Sequence, residues 1–265
     1  MKKIIVPVDF SKHSEYAMEA AAILAKKHKA SILALHMLEM SDALLTKSDG
    51  EQHAKAVFFL KLAEKKFDEF LDKDFLKDVD VIPIVKHFKV FSEVNEVAKE
   101  HNVDLIVMGS HGVSGLTEIF VGSNTEKVVR HSDIPVLVIK NKPKASDFDT
   151  IVFACDFSDE AIKPYLKASK MFDTLNSKLH LLYVNLPGER FKSTPDMEAN
   201  VKDFLQKAEG NTNKLNDVNY VADLTVEKGI LNFVKKSKAS LIAIPTHGRT
   251  GLAHFFEGSI SEDLA

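Results

Sequence analysis

Three glycines and a hydroxyl residue stand at a spacing suited to holding an anion: Gly109-x2-Gly112-x9-Gly122-Ser123. Glycine lets backbone amides approach an anion closely, and a helix N-terminus adds unpaired N–H groups at the positive end of its dipole. Leu105 to Met108 is a continuous apolar run, as expected of a strand buried on both faces of a parallel sheet. Ser123-Asn124-Thr125-Glu126 opens a helix with a capping box, in which the Ser hydroxyl accepts an amide three residues on and the Glu reaches back. Pro135 to Ile139 reads as the next buried strand. Strand, glycine loop, helix start and strand together make a phosphate site. The spacing is not the GxGxxG of dinucleotide-binding folds, and it lacks the Lys of a P-loop. The bland alternative is that the glycines only shape a strand-to-helix connection.

Other elements must carry this loop. Lys3 to Val8 reads as the first strand, with Asp9 at its carboxyl end. Ser11 or Ser14 caps a helix running to about His28, with Ala17, Ala21, Leu24 and Ala25 toward the sheet. Ile32 to Met37 is the second strand, and Met40 to Gly50 is polar and irregular. A long helix over Gln52 to Lys73 sets Ala56, Phe59, Leu60, Ala63, Phe67, Phe70 and Leu71 on one stripe. Aromatics at that spacing are core packing rather than a cofactor box. Val79 to Val85 is the third strand, and Phe91 to His101 a short helix. The alternating order gives a parallel sheet covered on both faces through right-handed crossovers.

The pattern then returns. Lys3 to Ser11, KIIVPVDFS, recurs as TIVFACDFS at Thr150 to Ser158. Ser31 to Met37 recurs at Lys178 to Val184, Asp104 to Gly112 at Ser240 to Gly248, and Gly122-Ser123 at Gly258-Ser259. Four blocks in one order mean two copies of one domain. The expected limits are 1–140 and 150–265, joined by a polar linker over 141–149. The second copy departs from the first. Its Asp156-to-Gly248 interval is 92 positions against 103 for Asp9 to Gly112. Pro164 should kink its first helix or delay the start, and Pro245 replaces the first motif glycine and removes an amide donor. Only three residues follow Glu262, where 14 follow Glu126 up to Lys140, so the second sheet is expected to lack its last strand.

The glycine signature resembles the G-x2-G-x9-G-[ST] nucleotide-binding motif of the universal stress protein family, and the likeness covers essentially the whole chain, once per half. The resemblance implies an α/β fold of two tandem open sheets with strand order 3-2-1-4-5, so that Asp9 lies near Gly109 and Gly112. It implies ATP as ligand, with ADP and AMP as alternatives. Pro7, Asp9 and the Met37 backbone would hold adenine; Met108, Gly109, His111 and Gly112 would line the ribose and first phosphates; Gly122, Ser123 and Asn124 would meet the phosphate tail. Mg2+ would ride on the phosphates, with no direct protein ligand. A second, weaker site would use Asp156, Val184, Gly248, Arg249, Gly258 and Ser259. In the family the fifth strand commonly pairs two domains, which implies self-association through that strand.

Each of these residues also has a structural reading. Asp9 can accept backbone amides beside a helix, Ser123 can be only an N-cap, and Arg249 can be a solvated loop residue. His111 and His247 have no nucleophile motif near them, so no catalytic residue is expected, and weak ATP hydrolysis stays open. Cys155 reads as a small core residue. The net charge of −3 and pI near 6.4 argue against a general nucleic-acid binder. One cysteine excludes an intrachain disulfide, and no apolar run reaches membrane-spanning length. Met1-Lys2-Lys3 leads straight into a strand, which points to the cytoplasm. Two functions follow: a nucleotide-binding stress protein, or a tandem scaffold of the same fold that has lost nucleotide binding and acts through protein partners.

Overall fold

The computed structural model describes residues 1–38, 49–87, 90–110 and 123–245. The chain forms two compact units, 1–143 and 144–265. In the first unit, β1 (Lys3–Pro7), α1 (Lys12–His28), β2 (Ser31–Leu38), α2 (Asp49–Leu71), β3 (Val81–His87), α3 (Val90–Glu100), β4 (Leu105–Gly109), α4 (Ser123–His131) and β5 (Val136–Ile139) follow in order. The sheet order is β3-β2-β1-β4-β5, all parallel, with Ile4 beside both Ile32 and Leu105 and Ile106 beside Val136. This agrees with the expected 3-2-1-4-5 arrangement.

The central strands are largely apolar because both faces are covered. Ile5, Leu33, Leu35, Ile106 and Met108 form one core with Val94, Val97 and Ala98 of α3 and Val128 of α4. On α1, Ala17, Ala21, Leu24 and Ala25 are at most 2% exposed, and the small residues let that helix lie close to the sheet. Its start is set by Ser11, in extended geometry, whose hydroxyl accepts the Ser14 amide at 3.2 Å. Its end is set by Lys29 in the left-handed region, φ 52°.

Several element boundaries differ from expectation by one to three residues; α2 already begins at Asp49 rather than Gln52, inside the stretch expected to be irregular. The third strand begins at Val81 rather than Val79, because a turn through Asp78 (φ 64°) returns the Val79 amide to the Leu76 carbonyl at 3.1 Å. The long helix stops at Leu71; Lys73 is already extended, at φ −133° and ψ 138°.

The second unit repeats the pattern with β6 (Thr150–Ala154), α5 (Asp159–Leu175), β7 (Lys178–Asn185), α6 (Thr194–Glu209), β8 (Val218–Ala222), α7 (Val226–Ser237) and β9 (Leu241–Ala243). Among the described residues its sheet has four parallel strands, β8-β7-β6-β9. The copies share backbone detail as well as topology. Left-handed residues recur in matching places: Phe10 and Phe157, Lys29 and Asn176, Asn102 and Lys238.

Pro164 does not delay the helix. α5 starts at Asp159 and runs through the proline. The first turn tightens, with the Ala161 amide on the Ser158 carbonyl at 3.0 Å, and the Ser158 side chain makes no cap bond. Without an N–H at position 164 the Glu160 carbonyl loses its helical donor. Pro164→Ala is expected to stabilise the second unit by about 1–3 kcal/mol. Urea denaturation checks this, and an unchanged midpoint would mean the proline costs the helix nothing.

Candidate functional site

The sheet order puts the carboxyl ends of β1, β2 and β4 side by side, and the crossovers change direction between β1 and β4. In open α/β sheets that is where ligands bind. Pro7 closes β1 and is half-buried, and Asp9 lies two residues beyond. Met37 is 9% exposed and Met108 5%; both side chains belong to the core, so any role toward a ligand falls to their backbone. Ser123 and Asn124 begin α4, and Asn124 is exposed. These residues gather at one edge of the sheet. His111, Gly112 and Gly122 lie outside the described residues, as do Gly248, Arg249, Gly258 and Ser259; so does the Ser123 side chain.

Asp9 has a structural task. Its Oδ1 accepts the Ser11 amide at 3.0 Å, which braces Phe10 in the left-handed region at φ 64°. Asp156 does the same for Ser158, at 3.0 Å, beside Phe157 at φ 55°. Gly109 has one as well. A Cβ there would lie 2.7–2.8 Å from the backbone and Cβ of His13, so the first turn of α1 requires glycine at this point.

Thr125 was not among the expected site residues, yet it ties two of them together. It is 5% exposed, and its Oγ1 donates to the Gly109 carbonyl at 2.9 Å. That bond joins the start of α4 to the end of β4. The next amide, of Ser110, donates to the Ile139 carbonyl at 3.0 Å. At the other end of α4, Asn95 of α3 donates to the His131 carbonyl at 2.9 Å. Glu126 pairs with Arg130 one turn on, at 2.6 Å. The available signal for Thr125 was its register: with Val128 and Val129 it falls on the buried face of the helix.

His36 was also missed. Its Nδ1 lies 2.7 Å from the Val8 carbonyl. A carbonyl can only accept, so Nδ1 carries the proton. The imidazole packs 4.5 Å from the Phe10 ring, which also meets Phe67 and Phe70 edge-on. Burial holds its pKa below the ordinary histidine value; the Val8 bond opposes this, Lys66 adds to it and Asp9 opposes it.

In the second unit Val184 packs under α7, where Gly229 allows the approach; a Cβ at that glycine would lie 2.6 Å from Val184 Cγ1. Asn185, 6% exposed, ends β7 and clamps the Lys192 backbone through both amide atoms, at 2.9 and 3.1 Å. Pro245 is half-buried two residues past β9. Cys155 follows β6, and burial pushes its thiol up to about 12, far from a reactive thiolate. Among the described residues, no helix is long and apolar enough to cross a membrane.

The model of the universal stress protein family matches residues 1–140 and again 147–265. The universal stress protein MJ0577 of Methanocaldococcus jannaschii is 31% identical over 159 residues, 53% of this chain and 96% of its own length. The universal stress protein YxiE of Bacillus subtilis is 31% identical over 145 residues, 52% of this chain and 98% of its own. Each of these relatives therefore spans about half of the chain. A solved universal stress protein from Archaeoglobus fulgidus shares the fold along 97% of the chain and 89% of its own, with TM-score 0.62 and 23% identity.

The lowered pKa of His36 gives a pH dependence with a definite sign. Above the unfolded value of about 6.5 the ring is neutral in both states and stability is complete. As pH falls below that value the unfolded chain binds the proton first, so stability is lost until the lower folded pKa is passed. His36→Asn keeps a donor for Val8 and does not titrate. Urea melts from pH 8 to 5 should show wild type losing stability relative to this variant; parallel curves would remove His36 as the source.

Proposed function

This chain belongs to the universal stress protein family as a tandem pair of its domains, and we propose that the first unit binds an adenine nucleotide, ATP foremost, with ADP and AMP as alternatives. The observation that carries this reading is the meeting of three strand ends with the start of α4 at the switch point, where the sequence supplies the glycine signature. Adenine would lie against Pro7, Asp9 and the Met37 backbone, the ribose against Met108 and Gly109, and the phosphates toward Ser123 and Asn124. Mg2+ would be carried by the phosphate oxygens. Binding would switch the protein between partners in a stress response, and we assign it no catalytic step.

The second unit would bind more weakly through Asp156 and Val184, because Pro245 stands where the first unit has Gly109 and donates no amide. Losing one bond to a charged phosphate weakens binding by ~1.5–3 kcal/mol. The scaffold reading also has support. Asp9 and Gly109 both perform packing tasks that a fold without nucleotide would keep. We further propose that β5, an edge strand of half-buried Val136, Leu137 and Val138, pairs two chains.

Calorimetry with Mg-ATP on the full chain is expected to show one strong and one weaker site. Asp9→Asn keeps an acceptor for the Ser11 amide but turns the second oxygen into a donor, and should weaken the strong site about tenfold. Absence of any binding heat, with no nucleotide released on denaturation, would favour the scaffold. Light scattering should give a dimer that a Leu137→Lys change disperses; a monomeric wild type would exclude the pairing.

A further inference from the structure

We propose that Thr125 is a positioning residue of the nucleotide site, acting through the Gly109–Ser110 peptide; the inference rests on the nucleotide reading above. The carbonyl of this peptide accepts the Thr125 hydroxyl at 2.9 Å, and its N–H donates to the Ile139 carbonyl at 3.0 Å. The Gly109 α-carbon is pressed against His13, where even a methyl would sit 2.7–2.8 Å from His13 atoms. The peptide plane is thus held from β5, α1 and α4 together.

Thr125 is the third residue of α4, so its bond also sets where the first turn of that helix stands over the end of β4. That turn carries Ser123 and Asn124 and the amides that have no partner inside a helix. An anion held there feels any displacement of the turn directly, because charge-assisted hydrogen bonds are short and directional. The base end of the site lies on β1 and β2, which Thr125 does not hold. Its hydroxyl should therefore govern recognition of the phosphates and of the ribose beside Gly109, and leave that of the base alone.

This differs from a purely stabilising role, which would affect all ligands alike or none. Thr125→Val keeps the shape and removes the donor, and Thr125→Ser restores it. With the full chain in calorimetry, Thr125→Val should weaken Mg-ATP about five- to tenfold and leave adenine within twofold of wild type, and Thr125→Ser should return ATP affinity to within twofold. Thr125→Ala, which puts no methyl against the carbonyl, serves the same comparison if the valine variant does not fold. Equal losses for ATP and adenine, or unchanged ATP affinity with only a lower melting temperature, would overturn the proposal. A wild type that binds neither ligand would instead fail the nucleotide reading itself, and this inference with it.

Discussion

The first unit depends on one peptide group, between Gly109 and Ser110. A buried peptide must satisfy both its carbonyl and its N–H, and leaving either without a partner costs about 1–3 kcal/mol. Here the partners come from different elements: the Thr125 hydroxyl on α4 and the Ile139 carbonyl on β5. A third element, α1, closes on the same residue so tightly that only glycine fits. Satisfying one peptide therefore fixes the spacing of β4 and β5, the entry of α1 and the standing of α4. The switch point between β1 and β4 is framed by those placements.

The two units use the same backbone devices around different interiors. Each ends its first strand with an Asp that braces a left-handed Phe. In the first unit that Phe meets His36, Phe67 and Phe70. In the second it stacks on Tyr183, with rings 7° apart, and meets Phe204 edge-on. The second unit also holds a polar cluster. Tyr165, 1% exposed, donates to Glu209, and Lys214 lies 2.7 Å from the same carboxylate. Burial, then the Glu209 bond, pushes the Tyr165 hydroxyl up to about 12. Burial works against the Lys214 charge, but its bonds to Glu209 and Tyr165 outweigh that and raise its pKa. Met18 stands at the position matching Tyr165, so this network belongs to one copy alone. Duplication preserved the turns, which strand ends require, and freed the helix contacts to diverge.

Signature residues in this fold carry two loads. The family likeness implies a ligand role for Asp9 and Gly109, yet a turn and a helix contact already require them. Their presence alone does not separate a binding unit from a scaffold. Groups that only a ligand would need are the better discriminator.

The sequence by itself determined the repeat, the parallel α/β class, the strand order through the family likeness, and the extent of α1 from a cap at Ser11 or Ser14 to about His28. These are legible because they are local: apolar runs mark buried strands, helical spacing marks faces, and a Ser marks a helix start. Even Thr125 carried a local signal, its place on the buried face of its helix. Only the tertiary structure decided what that hydroxyl bonds, why Gly109 must lack a side chain, and which carbonyl holds His36. Each of those joins atoms 16 or more residues apart, at Thr125–Gly109, at His36–Val8 or across the 96 positions from His13 to Gly109. Pro164 shows the same division. Its local preference opposed a helix interior, and packing of Ala161, Tyr165 and Phe172, each at most 3% exposed, overrode it. Close approach between distant segments has no periodicity to read, so it becomes visible only when the chain has folded.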